Sequence, residues 1–267
     1  MRTWIAITAA ALLVAGAGAG AAGCGEVGDD ASGTGGGSGG GGDKGTLTVF
    51  AAASLTEAFT SLGRTFEGSR PGVKVRFNFG ASSTLAQQIT QGAPADVFAA
   101  ASPATMKTVT DAGDAAGTPQ VFTRNRLVIA VPKDNPGKIS TVGDLSRPGL
   151  KVVLCVAQVP CGAAAAKALG AAGTDVEPVS REKDVKAVLT KVGLGEADAG
   201  LVYRTDVKAA GGEVTGIEFP EAAQAVNDYP IVEVAGAPQG ALAKEFVRLV
   251  LGPQGRTALN RAGFEAP

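Results

Sequence analysis

The chain of 267 residues is 45% hydrophobic and nearly neutral, with 24 Lys and Arg against 25 Asp and Glu, so it can build a full core but offers no basic field for nucleic acid. It contains no histidine, which excludes Ser-His-Asp and Cys-His nucleophilic sites and any imidazole-based metal site. Three cysteines are too few for a four-thiolate zinc site, and acid–base chemistry would fall to carboxylates, Lys or Tyr, so the composition argues against an enzyme.

At the amino terminus, Arg2 precedes an apolar run from Trp4 to about Ala19 that is too short and too broken by glycine for a membrane span. The run ends in Ala21-Ala22-Gly23-Cys24, which resembles a bacterial lipobox, the signal whose cysteine is acylated and becomes the first mature residue. Ala21 stands where Leu is more usual, and an ordinary cleaved signal or an uncleaved anchor is the alternative. Residues 1–23 are therefore read as a lipoprotein signal peptide, with Cys24 as the lipidation site. Residues 24–45 are read as a Gly-rich tether. Ten of the twenty residues from 25 to 44 are glycine, and such a segment buries too little apolar area to offset chain entropy. Its root-mean-square reach is about 25 Å. Two G-x-G-x-x-G matches, Gly18–Gly23 and Gly35–Gly40, neither follow a strand nor open a helix, and no G-x-x-x-x-G-K-[ST] exists. A nucleotide cofactor has no support.

From Thr46 the texture changes to alternating elements. Leu47–Phe50 reads as a strand, followed by Ser54-Leu55-Thr56-Glu57 as a capping box that opens a helix reaching about Phe66. Val73–Phe79 predicts a strand, Ser83–Gln91 a helix, Ala95–Ala100 a buried strand and Pro103–Ala112 a helix. Strands are expected at Leu127–Val131 and Val152–Val156, then an Ala-rich helix at Gly162–Leu169. Asp184–Val192 reads as helix, Gly200–Tyr203 and Pro230–Val234 as strands, and Ala241–Leu251 as an amphipathic helix. Strands alternating with helices predict mainly parallel sheets, in which ligands bind beyond the carboxyl ends of the strands.

Three strand-to-helix junctions are rich in small or hydroxyl residues: Phe50–Leu55, Phe79–Leu85 and Val159–Ala163. A fourth helix start, Lys183-Asp184-Val185, lacks hydroxyls but has free backbone N–H groups. A helix start offers up to four unpaired N–H donors and about half a positive charge. Several such ends around one cavity would hold a dianion without Lys or Arg, through hydrogen bonds strengthened by the ionised acceptor. Each serine has a plainer role as a helix cap, and Ser54 with Glu57 fits that role completely. Ser82, Ser83 and Thr84 share the ambiguity.

The residues at these junctions resemble the periplasmic molybdate-binding family of the type II solute-binding fold. The resemblance runs through Val49–Leu55, Ala81–Ile89 with Gly92–Phe98, Val159–Gly162, Asp184-Val185, Gly200–Tyr203, and Gly252-Pro253-Gln254 with Gly263-Phe264, in that order over roughly residues 46–265. It implies an α/β fold of two lobes, each a mainly parallel sheet flanked by helices, with the ligand in the cleft between them. Lobe 1 would comprise 46–125 and 229–267, and lobe 2 would comprise 126–228, with crossings near Arg124 and Tyr229. Ser54 and Ser82 would donate hydroxyl and backbone hydrogens, Cys161 and Val185 backbone N–H groups, and Tyr203 its phenol. Molybdenum would be held only as molybdate through these residues, with no direct metal ligand and no cofactor. Cys161 stands where a small residue is usual in the family, and Cys155 is its expected disulfide partner in an exported protein, free thiols being the alternative.

The implied function is capture of molybdate, with tungstate, outside the cytoplasmic membrane by a lipid-anchored monomer serving the permease and ATPase subunits of an ABC importer. A receptor for sulfate or another tetrahedral oxyanion is one alternative. A Ser-Lys hydrolase using Ser54 or Ser83 is another, but the serine motifs contain no lysine. A structural surface lipoprotein is a third.

Overall fold

In the computed structural model, the described residues are 45–267. The expected signal peptide, Cys24 and the tether up to residue 44 lie outside them. Gly45, read as the last tether residue, instead opens the first strand, β1 (Gly45–Ala52). Its inner positions Leu47, Val49 and Ala51 are fully buried, as alternation on a covered sheet requires.

A 3-10 turn at Ala53–Leu55 leads into α1 (Thr56–Gly68). The expected capping box does not form. Leu55 occupies the cap position, and the Ser54 side chain is turned inward. Then come β2 (Val73–Gly80), α2 (Ser82–Thr90), β3 (Val97–Ala99), α3 (Pro103–Asp111) and β4 (Gln120–Asn125). After β5 (Leu127–Pro132) follow β6 (Val152–Cys155), α4 (Pro160–Ala172), β7 (Ser180–Glu182), α5 (Val185–Gly193), β8 (Ala199–Tyr203), α6 (Arg204–Ala209) and β9 (Val214–Ile217). The chain closes with β10 (Asn227–Glu233), α7 (Gly240–Leu251) and α8 (Pro253–Ala262).

Two five-stranded sheets result, ordered β2-β1-β3-β10-β4 and β7-β6-β8-β5-β9. In each, one strand runs against the other four: β10 is antiparallel to β3 and β4, and β5 is antiparallel to β8 and β9. Both reversed strands come directly after the chain has changed sheets, between Asn125 and Leu127 and again between Ile217 and Asn227. The architecture is a two-lobed α/β fold in which both sheets are mainly parallel.

The halves have different cores. Nine of the ten phenylalanines lie in the first sheet's half, where Phe59 packs its ring 5.8–6.4 Å from those of Phe77, Phe122 and Phe246. The second half is filled mainly by Val, Ala and Leu, such as Val128, Val188 and Leu201. α7 shows the helical spacing that buries one face, with Leu242, Ala243, Phe246, Val247 and Val250 inward. Sequence reading left out β4, β7, β9, α6 and α8. Of these, β4 and β9 are edge strands, β7 has three residues, and α8 opens Pro-Gln-Gly with few apolar positions.

Candidate oxyanion site between the sheets

The carboxyl ends of β1, β2, β6 and β7 lead into helix starts, and these four starts meet at one cavity of about 20 Å³. From the first half come Ala52–Ser54 ahead of α1, Gly80–Ser82 ahead of α2, and Ala101 after β3. The second half contributes Val159–Cys161 at α4, Asp184 and Val185 at α5, and Tyr203 at the end of β8. The space suits one compact ion and is far too small for a sugar or an amino acid.

Ser54, Ser82, Cys161, Val185 and Tyr203 all line this cavity, at 4, 1, 4, 3 and 1% exposure. Ser83 and Thr84, one and two residues further along α2, do not. No side chain caps the 3-10 turn, α2 or α4. Their first N–H groups have no partner within the helix, and burial removes water as the substitute. Only α5 is capped, Asp184 accepting the Ala187 N–H at 3.0 Å. Asp184 is also the one charged residue in the lining, and its carboxylate is committed to that cap. No Lys or Arg lines the cavity, so its positive character comes from peptide dipoles.

The start of α4 is held against the preceding loop in two ways. Cys155 and Cys161 are joined as a disulfide, with Cα atoms 5.9 Å apart. A Cβ at Gly162 would lie 1.9 Å from the Val156 carbonyl oxygen, so only glycine lets the helix start come this close.

Beneath the cavity runs a hydrogen-bond layer that sequence reading missed. Ser82 Oγ accepts the Ala101 N–H at 3.0 Å. Asn227 Nδ2 donates to the Ala101 carbonyl at 2.6 Å and to Tyr203 Oη at 2.9 Å. Ser54 Oγ and Tyr229 Oη lie 2.8 Å apart. Tyr229, read from sequence as a hinge marker, is thus in direct contact with a cavity residue. Burial, reinforced by the Asp206 charge, pushes both phenols far above their ordinary pKa, so Tyr203 and Tyr229 keep their protons. The available signal was period-two spacing: Asn227 and Tyr229 share one face of β10.

Behind Tyr203, Asp206 is fully buried. Its Oδ2 accepts the Tyr203 N–H at 3.0 Å, while Oδ1 lies 3.4 Å from Lys186 Nζ and lacks a hydrogen-bond partner. Burial raises its pKa from 3.8 to about 6 against the opposing pull of Lys186 and the Tyr203 N–H. Lys186 also reaches Glu57 of α1 at 2.8 Å, linking the two halves.

A much larger groove, about 570 Å³, runs between α1 and α8. It is lined by helix faces and contains none of the converging helix starts.

A two-lobed α/β fold with a small buried cavity between its sheets defines a class of ligand-capturing proteins, and comparison agrees. Residues 47–265 match the family model described as bacterial extracellular solute-binding protein, and the chain belongs to that family. The molybdate-binding protein ModA of Mycobacterium tuberculosis is 48% identical over 222 residues, covering 83% of this chain and 85% of the relative. Among solved structures, the periplasmic molybdate-binding protein of Azotobacter vinelandii superposes with a TM-score of 0.74 at 22% identity, covering 83% of this chain and 99% of that one. The sulfate-binding protein SubI of M. tuberculosis gives 0.71 at 19% identity, covering 83% and 86%. The last two show a shared fold.

Proposed function

We propose that the protein captures molybdate, and with it tungstate, outside the cytoplasmic membrane and delivers it to the permease and ATPase subunits of an ABC importer. The observation that carries this reading is the meeting of four helix starts and three hydroxyls in one buried cavity without a basic side chain. Such a site suits a compact dianion, because each oxygen can accept charge-assisted hydrogen bonds from fixed dipoles. The extent of identity with the M. tuberculosis molybdate-binding protein favours molybdate among such anions.

In this reading Ser54 and Ser82 donate through hydroxyl and backbone, Cys161 and Val185 through backbone N–H groups, and Tyr203 through its phenol. Residues 46–125 with 229–267 form one lobe and 126–228 the other, and hinge closure about the two crossings seals the ion between them. Acylation of Cys24 and a tether over 24–44 would hold a monomer at the membrane surface. Molybdate, tungstate and sulfate present the same charge and shape, so cavity size must separate them. Hydrogen phosphate carries a proton that a donor-only site cannot accept.

Calorimetric titration with molybdate, tungstate, sulfate and phosphate tests the assignment. Molybdate and tungstate should bind one to one, and at about a hundred times the Kd should stabilise the fold by about 2.7 kcal/mol. Tighter binding of sulfate would make the protein a sulfate receptor, and no response to any of the four would sink the oxyanion reading.

A further inference from the structure

We propose that Asn227 and Tyr229, neighbours on one face of β10, are positioning residues that hold the site's hydroxyls as hydrogen donors and thereby exclude protonated anions. The inference rests on the oxyanion reading above and adds a layer of residues that does not line the cavity.

A primary amide has two N–H donors, and Asn227 uses both, on the Ala101 carbonyl and on Tyr203 Oη. With its oxygen accepting from Asn227, Tyr203 has its own hydrogen free to give. Residue 101, tied down by Asn227 through its carbonyl, gives its N–H to Ser82 Oγ. Ser82 is thereby also supplied with a donor, and its hydrogen is likewise free. On the other side Tyr229 Oη meets Ser54 Oγ at 2.8 Å. When Tyr229 donates in that pair, Ser54 is left in the same condition as the other two.

These groups are sealed from water. Tyr229 is 0% and Asn227 9% exposed, so no solvent molecule can freely reverse the chain of donors. The hydroxyls of Tyr203 and Ser82, which would otherwise be able to donate or accept, are thus biased to donate, and Ser54 joins them when Tyr229 donates to it. An anion with four bare oxygens satisfies them all, whereas one bearing a proton brings a donor that finds no acceptor. Asn227 and Tyr229 act on this choice through Tyr203, Ser82 and Ser54, without touching the ion.

Asn227→Asp and Tyr229→Phe test the proposal, each titrated with sodium molybdate and with sodium phosphate at pH 7.5. Aspartate has the shape of asparagine but no hydrogens to give, so the Tyr203 hydroxyl should turn toward it. Molybdate affinity should fall about 10- to 100-fold, and the ratio of molybdate to phosphate affinity should fall with it. Tyr229→Phe keeps the ring and its aromatic neighbours, and should weaken molybdate about 3- to 10-fold. Because the chain has two tyrosines, ring-carbon NMR of labelled tyrosine offers a readout that simple loosening would not mimic. The Tyr203 resonance of ligand-free Asn227→Asp should shift, reporting a hydroxyl that now donates inward. If the wild type binds molybdate and Tyr229→Phe matches it in affinity and in rejection of phosphate, the positioning role is overturned while the oxyanion reading stands. If Asn227→Asp does not fold, Tyr229→Phe alone decides in this way. If the wild type binds none of the tetrahedral anions, both readings fall together.

Discussion

Asp206 lies outside the cavity and holds the backbone of a residue that lines it. Its carboxylate fixes the Tyr203 backbone from below and has burial set against it. An acid whose folded pKa exceeds its unfolded value holds its proton more tightly when folded. Its ionisation is therefore a cost to the fold that is fully present above about pH 6 and lifted as pH falls toward 4. The gap between 3.8 and about 6 corresponds to about 3 kcal/mol. Asp206→Asn keeps an oxygen for the Tyr203 N–H and cannot ionise. The melting temperature of wild type minus variant should therefore rise by roughly 4–8 °C between pH 7 and pH 4.5. A difference that stays flat with pH would mean that Asp206 does not titrate in this range.

Among the elements, the helix starts matter most, and α4 is the most constrained. An added methyl at Gly162 would meet the Val156 carbonyl, so Gly162→Ala must push the first turn, and the Cys161 N–H with it, away from the cavity. Overpacking of this kind costs about 1–3 kcal/mol of stability, and anion affinity should drop at least about tenfold through the lost charge-assisted bond. Unchanged affinity in titration would show that the α4 start takes no part in binding. Most of these elements were legible from hydrophobic periodicity and from small residues at the junctions. The Ser54 and Glu57 pairing was misread because it is locally sufficient: the motif describes a complete cap. Tyr229, 175 residues further on, competes successfully for the Ser54 hydroxyl. Glu57 meanwhile is drawn to Lys186. Short edge elements such as β7 and β9 were illegible because they exist by pairing with neighbours rather than by any pattern of their own.

Across the whole molecule, ion pairs join the two halves on more than one side. Glu57 of α1 meets Lys186 of α5, while Glu265, tied by its backbone to Arg124, receives Arg126 and Arg204. If the halves close over the ion, the Glu57–Lys186 contact stabilises the closed arrangement. Glu57→Gln should then weaken molybdate binding about two- to fivefold at low salt. The loss should vanish near 0.5 M salt, where an exposed pair is screened. An equal loss at both salt concentrations would point to an effect inside the cavity instead.

The amino-acid sequence by itself determined the kind of molecule this is. The period of its apolar residues dictates strands and helices in alternation, and its lack of histidine narrows the chemistry before any fold is known. Its small-residue junctions mark the places where helix dipoles lie open, because such signals are local and act within a few residues of chain. Tertiary structure alone decided which hydroxyls face one another and which atoms supply their hydrogens. Ser54 with Tyr229, Ser82 with Ala101 and Tyr203 with Asn227 are brought together only when the chain has crossed between two sheets and returned. The physical reason is that the direction of a hydrogen bond in a dry site depends on every donor and acceptor around it. Those neighbours are assembled from distant parts of the chain.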